Sequence, residues 1–251
     1  MSARFEELDW SPTPIGDVSL RRRLDPVTGE DVFEVKLDDE WLMSSQFTAA
    51  EIALAHLGLA RLESPDAGDS TTRAAGSPAP LDVVVGGLGL GYTAQAALEH
   101  SRVGELLVVE LLEPVIGWHE RGLVPVGPAL TSDPRCRFVQ GDFFAMSYHD
   151  GYDPSQAGRL IDAVLLDIDH SPTHVLDDGS AGFYGVEGMT AVASHMRSGG
   201  VYAMWSNDPP EPEYMSILAE VFADVSADVI TFPNPLQQRE ATATVYVATK
   251  G

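Results

Sequence analysis

The feature that most constrains the fold is residues 81–98, where an apolar strand leads through four glycines into a helix-forming stretch. Val83, Val84 and Val85 are consecutive and β-branched, which is typical of a strand buried on both faces of a parallel sheet. Glycines lack the Cβ atoms that keep a ligand from the backbone, and the N–H groups that begin the next helix face the same loop. The segment predicts either a binding loop for a polar ligand or the turn of an ordinary β–α unit. The glycines are Gly86, Gly87, Gly89 and Gly91.

Acidic residues follow the next two strands. Residues 106–110 form an apolar strand ending in Glu110, about twenty residues after the glycine loop, where an acid accepts hydrogen bonds from ribose hydroxyls. Residues 137–140 form a third strand, which leads into Gly141 and Asp142. Asp142 is predicted to bind an adenine amino group with Phe143 covering the ring, to cap a helix N-terminus, or to do both.

A fourth strand opens into a polar loop. It spans residues 160–166, and Asp167, Asp169 and His170 follow it. Ligands of open α/β sheets bind at the carboxyl ends of the strands, so these side chains are expected near the glycine loop. Because strands and helices alternate from residue 81, we expect an α/β fold with a doubly wound, mostly parallel sheet.

The four predicted strands end, in order, in a glycine loop, a Glu, a Gly-Asp pair and an Asp-x-Asp motif. This order is typical of a class I S-adenosylmethionine site. More narrowly, residues 32–202 resemble the spermidine synthase family, and the resemblance is carried by residues 37–47, 51–59, 109–116 and 162–167. It implies a Rossmann-like class I methyltransferase fold and a donor that is S-adenosylmethionine or its decarboxylated form, with a small amine as acceptor. The donor-binding residues it implies are Gly86, Gly87, Gly89, Gly91, Glu110, Leu111, Gly141, Asp142, Phe143 and Asp167.

The chain departs from the family pattern at several positions. Gly89 stands where the family's glycine loop carries an aspartate, and Ala49 stands where a tyrosine is expected. The family's Asp-Ser-Ser-Asp-Pro becomes Asp167-Ile-Asp169-His170-Ser-Pro172, and residues 231–236 lack the C-terminal signature. These differences imply that the donor site is retained and that the polyamine pocket is changed.

Attack on a carbon attached to sulfonium needs an aligned amine that has lost its proton, so a carboxylate beside the acceptor suits the reaction. Asp167 is the first candidate for this catalytic acid and Asp169 the second, while His170 is a candidate base because imidazole titrates near neutral pH. Asp167 also fits a turn cap, and His170 a solvated loop residue. The predicted substrate-binding residues are Gln46, Tyr92, Trp205 and Asn207.

The charge of the chain narrows the choice of partners. Thirty-eight acidic against 15 basic residues give a formal net charge of −23. This charge repels nucleic acids and anionic membranes, so neither is expected as a partner. No metal site is expected, because Cys136 is the single cysteine and the histidines lack a strong ligand spacing. Since no signal peptide or membrane span is visible, we expect a cytoplasmic protein.

The chain is predicted to have three parts. Residues 1–63 form an antiparallel β unit with strands 15–24 and 31–42, followed by helix 49–61 capped by Thr48. Residues 64–80 form a flexible linker, and residues 81–251 the nucleoside-binding domain. The β unit offers edges through which a homodimer would pair. The other predicted helices are 114–122, 183–197 and 213–222, the loops 125–134 and 148–158, and the remaining strands 199–205, 225–232 and an antiparallel 242–249.

Three functions remain open from the sequence. The first is aminopropyl transfer from decarboxylated S-adenosylmethionine to a small amine. The second is methyl transfer from S-adenosylmethionine to a small molecule, which the absence of an acid at position 89 favours. The third is nucleoside binding without catalysis.

Overall fold

The computed structural model describes residues 5–63, 79–234 and 239–251. The N-terminal part is an antiparallel four-stranded sheet with the strands in chain order. The strands are β1 (Phe5–Thr13), β2 (Gly16–Leu24), β3 (Asp31–Leu37) and β4 (Glu40–Ser44). The predicted small antiparallel unit is therefore confirmed.

Two details of this sheet were not predicted correctly. Strand β1 was missed, because its side chains are mostly exposed or half-buried and give no clear apolar alternation. The prediction of one strand over residues 31–42 is wrong, because the chain turns between β3 and β4. Asp38 makes this turn with a φ of 50°, and its carboxylate accepts a hydrogen bond from the Asp17 backbone N–H at 2.8 Å.

The first helix, α1 (Ala49–Arg61), begins where the sequence predicts it. Thr48 occupies the N-cap position, but its side chain makes no capping hydrogen bond, so the predicted cap is wrong. The φ and ψ of Thr48 are −124° and 7°, outside the extended conformation in which an N-cap oxygen usually reaches the N–H groups of the first turn.

The central sheet contains seven strands. They are β5 (Leu81–Gly86), β6 (Val103–Glu110), β7 (Cys136–Gln140), β8 (Ile161–Leu166), β9 (Met196–Ser206), β10 (Asp224–Asn234) and β11 (Arg239–Thr249). Their order is β10-β11-β9-β8-β5-β6-β7. Strands β5 to β9 pair in parallel, and β11 pairs antiparallel with both β9 and β10. The doubly wound, mostly parallel sheet and its antiparallel last strand are confirmed.

Helices cover both faces of this sheet. They are α2 (Tyr92–Glu99), α3 (Glu113–Glu120), α4 (Gly127–Ser132), α5 (Phe143–Ser147), α6 (Val186–Ser194) and α7 (Pro212–Val221). Within β5, Val83 and Val85 belong to one apolar core and Val84 to the other, as the period of two in a strand requires.

Several predicted boundaries differ from the structure. Residues 125–134 were predicted as a loop, but they contain α4, whose first turn accommodates Pro128 because that turn needs no proline N–H. The helix predicted over residues 183–197 covers only 186–194, and β9 begins three residues before the predicted position 199. Residues 148–158 contain no helix or strand, as predicted.

The N-terminal sheet and the central sheet share one apolar core, in which Leu20 and Leu54 are buried with Val83. A polar contact joins them as well, since the Trp118 indole N–H donates to the Asp9 carboxylate at 2.7 Å. Most of the predicted linker, residues 64–78, lies outside the described residues, so the three-part division stays a prediction. In the described part of the chain, no helix is long and apolar enough to cross a membrane.

Candidate functional site

A cavity of about 880 Å³ opens at the carboxyl ends of the parallel strands. This volume is typical of small-molecule sites. The N-terminal sheet and α1 form the opposite wall, to which Met43, Phe47 and Glu51 contribute. The predicted residues that line the cavity are Gly87, Gly89, Glu110, Leu111, Gly141, Asp142, Phe143, Asp167, Asp169, His170, Trp205 and Asn207.

The glycine loop passes very close to neighbouring chain segments. A Cβ atom at Gly87 would overlap the backbone carbonyl of Asp167, and a Cβ atom at Gly89 would overlap the Met43 sulfur. Both glycines also have positive φ, of 93° and 47°. The Met43 sulfur accepts a hydrogen bond from the Leu90 backbone N–H at 3.0 Å. The position where the resemblance implies an acid is therefore covered by an apolar thioether.

Glu110 holds the loop in place. Its two carboxylate oxygens accept hydrogen bonds from the backbone N–H groups of Leu88, at 2.9 Å, and Leu112, at 2.8 Å. Burial raises the pKa of Glu110, and these backbone hydrogen bonds oppose the rise. The backbone N–H groups of Gly89 and Leu111 also interact with this carboxylate, so the glycine loop and the segment after β6 both hold it in place.

Asp142 and Phe143 begin α5 at the end of β7. One oxygen of Asp142 accepts from the N–H groups of Phe144, at 2.9 Å, and Ala145, at 3.2 Å, so the predicted N-cap is confirmed. Phe143 is 2% exposed and stacks on Tyr152 with ring centroids 4.8 Å apart. Its ring is therefore held rigidly where it borders the cavity.

Asp167 follows the central strand β8. Its carboxylate accepts a hydrogen bond from the Thr93 hydroxyl at 2.5 Å. Burial raises the pKa of Asp167 to about 6, and the Thr93 hydrogen bond opposes this rise. A carboxylate with a pKa so near neutral can both take and return a proton at physiological pH.

Asp169 and His170 line the same loop but make different contacts. The Asp169 carboxylate is 1% exposed and accepts from the Tyr184 hydroxyl at 2.6 Å and the Leu176 backbone N–H at 2.7 Å. It therefore fastens its loop to the core. The Nε2 of His170 lies 3.4 Å from the Trp41 carbonyl oxygen, and its ring stacks on His174.

The sheet order divides the cavity into two halves. The glycine loop, Glu110 and Asp142 follow β5, β6 and β7, on one side of β8. Trp205 lies at the end of β9 and Asn207 just after it, on the other side. Asp167 therefore lies at the boundary between a half with the predicted donor residues and a half with two predicted acceptor residues.

Four predicted residues are not among the cavity-lining side chains. Gly86 packs beside Phe143, and Gly91 begins α2. The Gln46 amide is bound to Arg23 and Asp25 within the N-terminal sheet. Tyr92 is half-buried at the start of α2, and its side chain hydrogen-bonds to that of Ser45.

The sequence analysis did not identify Glu51 and Met43 as site residues. Glu51 lies in the first turn of α1 on the same side as Leu54 and Ala55, which are buried. Burial and the charge of Asp167 raise the pKa of Glu51 to about 8. The sequence did contain one signal for Glu51, since an acid at this position falls on the apolar side of an amphipathic helix.

No cluster of three or more His, Cys, Asp or Glu side chains is arranged to hold a metal ion in the residues described. The polar side chains of the cavity are mostly carboxylates, together with hydroxyl, amide and imidazole groups. Arg21 and Arg23 also line it, but they form ion pairs with Glu7 and Glu34 of the N-terminal sheet. Such a set suits a nucleoside and a cationic organic molecule.

The sheet order and the helices around it define a class I methyltransferase-like α/β fold with an N-terminal β unit. Among solved structures, this architecture is similar to spermidine synthase from Thermotoga maritima, with a TM-score of 0.68 at 16% identity over 98% of this chain and 73% of that one. Spermidine synthase bound to the transition-state analogue AdoDATO gives a TM-score of 0.67 at 15% identity, over the same shares of the two chains. A probable spermidine synthase from Corynebacterium glutamicum gives 0.62 at 14% identity, over 97% of this chain and 79% of that one.

A curated protein is similar in sequence as well. Polyamine aminopropyltransferase 2 from Pseudomonas aeruginosa is 28% identical over 162 residues, which are 62% of this chain and 43% of that protein. This chain therefore matches less than half the length of that relative. No family model matches the chain. The predicted resemblance to spermidine synthases and the predicted fold are both confirmed.

Proposed function

We propose that this protein is an aminopropyltransferase, which moves the aminopropyl group of decarboxylated S-adenosylmethionine to a small amine. The observation that carries the proposal is the position of Asp167 at the end of β8, between the two halves of one cavity. The relatives support it, because they are named as a polyamine aminopropyltransferase and as spermidine synthases.

The donor would bind in the half formed by β5, β6 and β7. The backbone of the glycine loop leaves room for the nucleoside, and Glu110 would accept the ribose hydroxyls. The free oxygen of Asp142 would accept the adenine amino group while Phe143 contacts the ring. In this arrangement the sulfonium carbon lies toward the boundary at Asp167.

The reaction then needs one proton transfer and one displacement. The acceptor ammonium gives a proton to the Asp167 carboxylate, which frees a nitrogen lone pair. That lone pair forms a bond to the carbon attached to sulfur, while the C–S bond breaks and sulfur keeps its electron pair. The products are methylthioadenosine and a secondary ammonium, so the positive charge moves from sulfur to nitrogen. A cavity rich in carboxylates stabilises both cations.

The acceptor would lie in the half bordered by Trp205, Asn207 and His170. The Trp205 indole N–H is buried and has no hydrogen-bond partner among the described residues, which makes it a candidate donor to the substrate. Gln46 and Tyr92 stay predicted acceptor contacts, although Gln46 is bound to Arg23 and Asp25, and Tyr92 to Ser45.

Turnover with a panel of linear diamines tests the proposal, with methylthioadenosine as the measured product. We expect methylthioadenosine from decarboxylated S-adenosylmethionine, and no S-adenosylhomocysteine from S-adenosylmethionine. Asp167→Asn is expected to lower kcat by about 10²- to 10⁴-fold, the range of one general base, while methylthioadenosine still binds. S-adenosylhomocysteine formation would instead show a methyltransferase, and undiminished turnover of Asp167→Asn would remove Asp167 from the mechanism.

We also propose that the protein acts in the cytoplasm as a homodimer. The edge strands β1 and β4 of the N-terminal sheet carry unpaired backbone groups that a second copy can pair with. Sedimentation velocity tests this, and a single species of monomer mass at micromolar concentration would contradict it.

A further inference from the structure

The cavity contains a second carboxyl group that the proposed reaction does not use. Glu51 projects from the first turn of α1 and lines the cavity. Its carboxylate interacts with its own backbone N–H, and within the described ranges no arginine, lysine or histidine forms an ion pair with it. Ionisation of a partly buried carboxyl group without a counter-cation is unfavourable, so such a group holds a proton until a ligand supplies a positive charge.

Glu51 and Asp167 are neighbours across the interface between α1 and β8. Thr93 in α2 contacts both residues, since its hydroxyl donates to the Asp167 carboxylate at 2.5 Å and lies 3.4 Å from the Glu51 backbone carbonyl oxygen. The titratable groups that face Glu51 are Asp167, after β8, and Tyr92, in α2. Both are acids, so these elements offer Glu51 no positive charge.

The glycine loop does not offer a carboxylate on its own side of the cavity. The Met43 sulfur covers Gly89, and a side chain at that position would overlap it. The negative charge near the end of β8 therefore comes from α1 and from the loop after β8. The carboxylates that line the cavity there are Glu51, Asp167 and Asp169. Asp169 already accepts from Tyr184 and Leu176, which leaves Glu51 and Asp167 for a ligand.

We propose that Glu51 and Asp167 together form a receptor for one primary ammonium group of a substrate, and that Glu51 gives this receptor its selectivity for a cation. The inference rests on the proposed function, whose two substrates both carry such a group. A primary ammonium has three N–H donors, which two carboxylates from different elements can share. Glu51 holds a proton in the empty cavity and releases it when the ammonium binds, because the cation stabilises the ionised pair.

Calorimetry of three ligands separates the two sources of the ammonium. Methylthioadenosine carries no ammonium, decarboxylated S-adenosylmethionine carries one on its aminopropyl group, and 1,4-diaminobutane represents the acceptor. The proteins are the wild type, Glu51→Gln, Glu51→Asp and the control Glu113→Gln, since Glu113 is an exposed first-turn acid of α3.

We expect Glu51→Gln to weaken binding of one ammonium ligand by roughly 10- to 100-fold, the range of a charged hydrogen bond, and to leave methylthioadenosine within about twofold. Glu51→Asp is expected to recover part of the loss, and Glu113→Gln to match the wild type. If only decarboxylated S-adenosylmethionine binds more weakly, the receptor holds the ammonium group of the donor. If only 1,4-diaminobutane binds more weakly, the receptor holds an ammonium group of the acceptor.

Binding heats measured at neutral pH in phosphate and in Tris buffer give the number of protons released on binding, because the two buffers have different heats of protonation. The wild type is expected to release up to about one proton per bound ammonium, and Glu51→Gln none. Unchanged affinity and unchanged proton release in Glu51→Gln would overturn the inference. If the wild type binds neither nucleoside, the proposed function fails, while the diamine titration still decides whether Glu51 binds an ammonium.

Discussion

Replacing Glu110 with alanine removes the acceptor for two buried backbone N–H groups, those of Leu88 and Leu112. A buried N–H group without a partner costs about 1–3 kcal/mol, so the two together cost about 2–6 kcal/mol of the free energy of unfolding. The change also removes a carboxylate whose pKa burial raises, and relief of that desolvation offsets part of the cost. We expect a net loss of about 1–4 kcal/mol in urea unfolding.

The pH dependence of this loss has a definite sign. The pKa of Glu110 is higher in the folded protein than in the unfolded chain, so the folded protein binds more protons. The stability contributed by protonated Glu110 is present below the unfolded pKa and is lost as pH rises through the folded pKa. The cost of Glu110→Ala is therefore expected to be larger at about pH 5 than at about pH 8. A larger cost at about pH 8 would refute this reasoning.

The same variant tests the ribose contact. Charged hydrogen bonds contribute about 1.5–3 kcal/mol, so methylthioadenosine is expected to bind Glu110→Ala roughly 10- to 150-fold more weakly in calorimetry. Glu120→Ala is the control, because Glu120 is exposed at the end of α3. Wild-type affinity in a folded Glu110→Ala protein would exclude Glu110 from the nucleoside site.

Three further outcomes follow from the contacts. Asp142→Ala is expected to lower the free energy of unfolding by about 1 kcal/mol through loss of the α5 cap, with Asp142→Ser close to the wild type, and equal losses in both would contradict the cap. Tyr184→Phe leaves the buried Asp169 carboxylate with one fewer donor, so urea unfolding is expected to show a loss of about 1–3 kcal/mol, and no loss would show that water replaces the hydroxyl. Because the folded pKa of Glu51 is raised to about 8, its stabilising protonated form is lost as pH rises, and Glu51→Gln is expected to gain stability over the wild type between about pH 5 and about pH 8. A gain that shrinks as pH rises would contradict this.

The central sheet could be predicted because its strands are apolar on both faces. Val83, Val84 and Val85 belong to two different cores, and only a strand covered by helices on both sides requires such a run. The strand ends were predictable for the same reason, since Glu110 ends the buried apolar run of β6 and Asp167 directly follows that of β8. Short or half-exposed elements such as β1 and α4 lack this signal.

The opposite wall of the cavity could not be predicted, because it depends on packing between segments far apart in sequence. Met43 meets the glycine loop only after the N-terminal sheet has packed on the central one. Glu51 looks like an ordinary first-turn acid until α1 is oriented, since acids are common there for their interaction with the helix dipole. Gln46 lies close in sequence to these residues, but its amide is bound to Arg23 and Asp25.

This contribution of distant segments links ligand binding to the association of the two sheets. Met43 and Glu51 belong to the N-terminal region and Glu110 to the central domain, so a complete cavity exists only while the regions are docked. A ligand that contacts both walls binds the docked form alone and stabilises it by mass action. Neither Asp9 nor Trp118 lines the cavity, yet substitutions that loosen their contact would then weaken the apparent affinity in proportion to the fraction of molecules whose two regions separate.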